Sequence, residues 1–131
     1  MSFKKKIKPL HKDSRGKIVK LAEGDFASAL LITSKKGSVR ANHYHKKDSH
    51  WCYMISGSMR YWYKDLSKKN NRRRSLIIRA GDSVYTPPML AHAMEFLEAS
   101  QFLALTAKKR DRTKYENDTV RMKLLKTDET K

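Results

Sequence analysis

Acidic residues are scarce in this chain, with 13 Asp and Glu against 30 Lys and Arg and a formal net charge of +17 over 131 residues. Such a field excludes a preference for cationic partners and favours anions. Cysteine is scarcer still. Cys52 stands alone, so no internal disulfide can form and a reducing compartment is compatible. The chain also lacks any run of about 18 apolar residues and any charged-then-apolar leader with a small-residue cleavage site. A cytoplasmic protein without a membrane partner is therefore expected. No internal repeat is evident.

The basic residues lie in scattered blocks: Lys4 to Lys6, Lys35-Lys36, Lys46-Lys47, Lys68-Lys69, Arg72 to Arg74 and Lys108 to Arg112. These blocks mostly lack the aromatic interleaving of a single-strand binder, and none forms a helix suited to the major groove. Nucleic acid is thus disfavoured as a partner. A solvated lysine-rich surface or a phosphorylated small-molecule ligand fits better.

Short apolar runs recur between turn signals. They cover Lys17 to Leu21, Phe26 to Thr33, His50 to Ile55, Met59 to Lys64, Leu76 to Arg79, Ser83 to Thr86, His92 to Leu97 and Gln101 to Thr106. Strands of this length, rich in Val, Ile, Tyr, Phe and Trp, predict an all-β sandwich or barrel. The length suits one domain. The expected division is a basic N-terminal arm over 1–15, a β-barrel over 16–107 and a polar C-terminal extension over 108–131. Gly57 and Gly81 sit between apolar runs, where tight turns call for positive φ. The Pro87-Pro88 pair ends a strand and sets a rigid turn.

All but one of the five histidines fall within two glycine-framed stretches, Gly37 to Gly57 and Gly81 to His92. Side chains alternate along a strand, so His43 and His45 share a face. A turn over Lys46 to Ser49 resets the register and lets His50 face inward from a neighbouring strand, sharing its face with Cys52 and Met54. His92 must arrive from a strand remote in sequence. Four imidazoles meeting at one point, His43, His45, His50 and His92, would make a divalent transition-metal site for Fe, Ni, Zn, Cu or Mn. The same alternation turns Arg40 and Asn42 away from His43.

The two stretches resemble the paired motifs of the cupin superfamily, G-x5-H-x-H-x3-4-E-x6-G and G-x5-P-x-G-x2-H-x3-N. Gly37, His43, His45 and Gly57 match the first; Gly81, Pro87 and His92 match the second. The resemblance implies an antiparallel jelly-roll barrel with its site inside. Three positions depart from the motifs. His50 stands where the metal-binding glutamate would be, Met89 replaces a glycine, and Phe96 takes the place of the last asparagine. A narrower resemblance joins Arg40-Ala-Asn-His43-Tyr-His45-Lys46-Lys47 to the R-G-x-H-A-H-K pattern of cupin 3,4-ketoisomerases of dTDP-hexoses. The segment Tyr115 to Arg121 is similar to small cupins found with surface-polysaccharide enzymes.

The ketoisomerase resemblance implies a metal-free acid and base in His43 and His45, acting on a nucleotide-linked keto sugar through an enediolate. Arg40, Lys46 and Lys47 are candidate cations for the pyrophosphate, and Tyr61 a candidate stacking partner for the sugar or base. Two other functions fit the same histidines: a metal-dependent dioxygenase whose apolar box would use Met54, Met59, Met94, Phe96 and Phe102, and a non-enzymatic ligand-binding barrel. A homodimer joined through an edge strand is also expected.

Overall fold

The structure is a computed structural model that describes residues 4–109 and 116–126. Strict alternation of buried and exposed residues marks its central strands. Along Ser100–Thr106 every second side chain is buried, and along His50–Ser56 the buried set is His50, Cys52 and Met54. That period places one face of each strand against a core.

The described residues form twelve strands: β1 (Lys4–Lys6), β2 (His11–Asp13), β3 (Gly16–Ile18), β4 (Ser28–Ser34), β5 (Val39–His45), β6 (His50–Ser56), β7 (Ser58–Asp65), β8 (Arg74–Arg79), β9 (Asp82–Thr86), β10 (Leu90–Phe96), β11 (Ser100–Thr106) and β12 (Thr119–Arg121). They build two facing five-stranded sheets, β1-β9-β6-β11-β4 and β12-β5-β10-β7-β8, with β2 and β3 as a separate hairpin. All pairings are antiparallel. This is an all-β jelly-roll barrel.

Between the sheets, Met54, Met59, Tyr61, Ile78, Val84, Leu90, Phe96 and Phe102 are each at most 1% exposed. Phe96 and Phe102 stack across the core with centroids 5.8 Å apart. Burying each such side chain stabilises the fold by about 1.5–3 kcal/mol. The methionines and phenylalanines considered for an apolar substrate box are thus mainly core, although Met94 and Phe102 also reach the cavity described below.

Gly57 joins β6 to β7 and carries the chain from one sheet to the other. Its φ is +84°, and a Cβ there would collide with Ser100 Oγ and come within 2.6 Å of the Ala99 carbonyl oxygen. Both conformation and space require glycine.

Three features differ from the sequence-based expectation. The run Lys17 to Leu21 contributes only its first two residues to β3, in a hairpin whose residues are largely exposed. Both flanking segments add edge strands to the barrel, β1 against β9 and β12 against β5. These strands are three residues long, too short to show a period. Finally, β5 and β6 lie in opposite sheets, so His50 faces His43 and His45 across the barrel instead of beside them.

Candidate functional site

The central element of the site is β5, flanked by β10 and β12. His92 of β10 pairs directly with His43, while Arg121 and Thr119 of β12 pair with His43 and His45 from the other side. Directly opposed residues point to the same side of a sheet. His43, His45 and His92 therefore project together into the barrel, where they are 7%, 1% and 1% exposed. Ring centroids lie 4.7 Å apart for His43 and His45 and 4.9 Å apart for His43 and His92. One ligating atom from each of the three falls within 4.8 Å of the others.

A bulge in β5 changes which residues join them. Ala41 and Asn42 both have positive φ, +69° and +59°, and the register steps from His92↔His43 to Ala93↔Ala41 and Met94↔Arg40. One residue is thereby left out of the alternation. Simple alternation sends Arg40 to the outer face; the bulge corrects this and aligns Arg40 with inward-facing Met94. Arg40 Nε donates to Ser34 Oγ and its Nη2 to the Thr33 carbonyl, both at 2.8 Å. The side chain of Asn42 turns outward and fastens the C-terminal segment. Its Oδ1 accepts the amides of Leu124 and Leu125 at 3.1 Å, and its Nδ2 donates to the Leu125 carbonyl at 3.0 Å.

The resulting cavity has a volume of about 170 Å³. Arg40, His43, His45 and His92 line one wall; His50 and Cys52 of the facing sheet line another, with Leu30, Ile32, Met94, Phe102 and Ala104 completing it. His50, expected as a fourth metal ligand, is not among the three nitrogen donors that converge. Its ring centroid is 5.4 Å from that of His92, and its Nδ1 lies 3.4 Å from Cys52 Sγ.

Hydrogen bonds orient the imidazoles. His92 Nδ1 lies 2.9 Å from the Leu90 carbonyl oxygen. A carbonyl only accepts, so the proton sits on Nδ1 and the lone pair of Nε2 is left for chemistry. Behind His92, Tyr61 stacks at 6.0 Å and 16°. Tyr61 is fully buried, bonds its hydroxyl to Thr86 Oγ1, and does not line the cavity. Burial pushes its phenol far above the usual tyrosine range. Its place is that of a support for His92.

His45 is held from the C-terminal side. Thr119 Oγ1 lies 3.2 Å from its Nδ1, and Asp118 Oδ2 lies 4.0 Å away. The Asp118 carboxylate in turn accepts the amides of Lys47 and Asp48, each at 2.9 Å. Periodicity carries no signal for these two residues, because their position depends on a three-residue strand pairing across the sequence. Lys46, a candidate for the pyrophosphate, is exposed and lines a different cavity with Lys47.

The arrangement can move protons between neighbouring carbons of a bound molecule, since neutral imidazole both accepts and donates near neutral pH. It can equally offer nitrogen donors to a metal. Three imidazole nitrogens at this separation suit borderline ions such as Zn(II), Fe(II) or Ni(II), so the residues fit such a group.

The family model described as a cupin domain matches residues 30–106. No curated protein sequence matches the chain. Among solved structures it resembles QdtA, a sugar 3,4-ketoisomerase from Thermoanaerobacterium thermosaccharolyticum in complex with TDP, at 23% identity and TM-score 0.70 over 90% of this chain and 85% of that one. A 3,4-ketoisomerase from Helicobacter canadensis is similar at 19% identity and TM-score 0.72, over 92% of each chain. ChmJ, a 3'-monoepimerase from Streptomyces bikiniensis in complex with dTDP-quinovose, is similar at 16% identity and TM-score 0.72, over 84% of this chain and 65% of that one. At these identities the likeness to the solved structures is one of fold. With the family model spanning both histidine-bearing stretches, the chain belongs to the cupin family.

Proposed function

We propose that the protein isomerises or epimerises a nucleotide-linked keto sugar by proton transfer through an enediolate, with His43 and His45 as the proton-transfer residues. The observation that carries this reading is the placement of His43, His45 and His92 around one small barrel cavity that Arg40 also lines from its exposed rim. Its volume falls below the about 300–1,000 Å³ of pockets that enclose larger ligands. Such a cavity admits a hexose ring and leaves a nucleotide at the mouth. The structurally similar QdtA and ChmJ support the substrate class, and a His-to-Asn variant of QdtA was crystallised with TDP-4-keto-6-deoxyglucose.

The chemistry follows from the sugar's carbonyl. It acidifies the adjacent C–H, and a neutral imidazole removes that proton while the electron pair moves into a carbon–carbon double bond. Returning a proton to the former carbonyl carbon, while the proton of the neighbouring hydroxyl passes to the former carbonyl oxygen, moves the ketone by one carbon. Returning it to the original carbon on the opposite face inverts that centre. Each positioned acid or base contributes about 10²–10⁴-fold. Arg40 supplies a fixed positive charge for the enediolate or a phosphate oxygen. Should a divalent transition ion bind, His43, His45 and His92 would hold it, and it would polarise the carbonyl as a Lewis acid. A guanidinium in the wall favours this class over an apolar-box dioxygenase.

The setting belongs to the same proposal: a cytoplasmic homodimer taking a small phosphorylated ligand. No helix among the described residues is long and apolar enough to cross a membrane. Among the described residues strand β4 is the end strand of its sheet, and Leu31 on its outer face is 61% exposed. Such an edge suits antiparallel pairing with a second copy.

The test is to dissolve dTDP-4-keto-6-deoxyglucose with the protein in D2O and follow the sugar protons by NMR. Loss of the proton beside the carbonyl, followed by signals of a new keto isomer or epimer, is expected. Neither exchange nor binding at millimolar ligand contradicts the reading.

A further inference from the structure

A second cavity, of about 450 Å³, shares no lining residue with the histidine cavity among the described residues. Lys46 and Lys47 from the end of β5, and Lys108 and Lys109 following β11, form its walls together with Asp48 and Asp118. The two carboxylates are engaged with the backbone. Asp48 is 3% exposed and accepts the amides of Ser49 and Lys108, while Asp118 accepts those of Lys47 and Asp48. The four lysines are exposed, and among the described residues none of them forms an ion pair. Four ammoniums thus gather in one concavity with their charge turned to solvent.

We propose that this concavity is a second ligand site, for a small anion bearing several phosphates, and that its occupancy is felt at His45. Its volume lies within the about 300–1,000 Å³ of small-molecule sites. An open concavity of that size, lined by residues from three short segments, suits a compact anion better than a nucleic-acid backbone, which tracks an extended groove. Clustered like charges repel one another, so a polyanion gains both attraction and relief of that repulsion. The route to His45 is short. Asp118 forms part of the pocket wall, ties down the Lys47 and Asp48 amides, and places its carboxylate 4.0 Å from His45 Nδ1. An anion drawing Lys46 and Lys47 toward it pulls on that tether. The site stands on its own observations and does not depend on the sugar reading.

Inorganic tripolyphosphate is the probe, titrated into the full chain by calorimetry at constant salt of about 0.15 M, where long-range attraction is screened beyond about 8 Å. One equivalent should bind. The Lys46→Glu/Lys108→Glu variant should weaken it at least tenfold, whereas Lys68→Glu/Lys69→Glu, with the same change in net charge, and Arg40→Ala should each change it less than twofold. Binding should also shift the His45 imidazole NMR signals. Equal weakening by the two double variants, several equivalents bound, loss in Arg40→Ala, or unmoved His45 signals would overturn the proposal. So would displacement of the probe by a single-stranded oligonucleotide at lower phosphate concentration.

Discussion

Met89 stands where the second cupin motif carries glycine, and it adopts φ +66°. Its amide donates to the His45 carbonyl at 2.8 Å, and its own carbonyl accepts the Leu66 amide at 3.1 Å. The left-handed conformation is therefore enforced by hydrogen bonds that hold the start of β10 against the end of β5. A side chain in that region costs about 1–2 kcal/mol. Met89→Gly should raise the unfolding free energy by about 0.5–1 kcal/mol, after the greater entropy of an unfolded glycine is subtracted. Urea unfolding measures this, and a destabilised variant would contradict it. Tyr61 gives a second prediction. Burial raises its phenol pKa in the folded state above the ordinary 10.0, so its stabilising effect is complete below about pH 10 and declines as pH climbs above it. Unfolding free energy should fall above pH 10 by up to about 1.4 kcal/mol per unit, and Tyr61→Phe should flatten that fall. An unchanged slope in the variant would count against the buried phenol as the cause.

Among the elements, β6 and β11 were legible because each is a short apolar run, Trp51 to Ile55 and Phe102 to Leu105, set between turn signals. Within β5 the sequence pattern accounts for only part of the arrangement. The shared face of His43 and His45 follows from their spacing of two, but Arg40, itself exposed, reaches the cavity rim only because Ala41 and Asn42 form a bulge. No glycine or proline marks that bulge in the sequence. The bulged Asn42 is held from about eighty residues away, where the amides of Leu124 and Leu125 donate to its side chain. Asp118 and Thr119 lie in the segment that resembles small cupins, yet no role follows for them from the sequence, because their contact with His45 is made by pairing, not by local pattern. Asn42→Ala should accordingly cost about 1–3 kcal/mol, from the loss of three partly buried hydrogen bonds worth about 0.5–1.5 kcal/mol each. Faster hydrogen exchange should then appear at Leu124 and Leu125 and in β12. Unaltered protection there would sever the link between bulge and tail.

For the whole molecule, opposed sheets matter more than any one strand. One contributes His43, His45, His92 and Arg40, the other His50 and Cys52, so a ring bound between them has polar groups on both faces. The barrel was predictable from short runs and turns, while the assignment of strands to sheets was not, because sequence neighbours β5 and β6 separate at the turn between them. Assembly is the prediction at this scale. Sedimentation should give a dimer, and Leu31→Asp should shift it toward monomer without loss of β-sheet circular dichroism. A wild-type monomer at tens of micromolar would refute pairing through β4.

The central claim is that imidazoles on β5 carry protons to and from a bound keto sugar. It is tested most directly by solvent deuterium exchange into dTDP-4-keto-6-deoxyglucose, comparing the parent chain with His43→Asn and His45→Asn. At least one substitution should slow exchange by about 10²-fold or more while leaving ligand affinity within a few fold. Exchange at the parent rate in both variants would contradict the account.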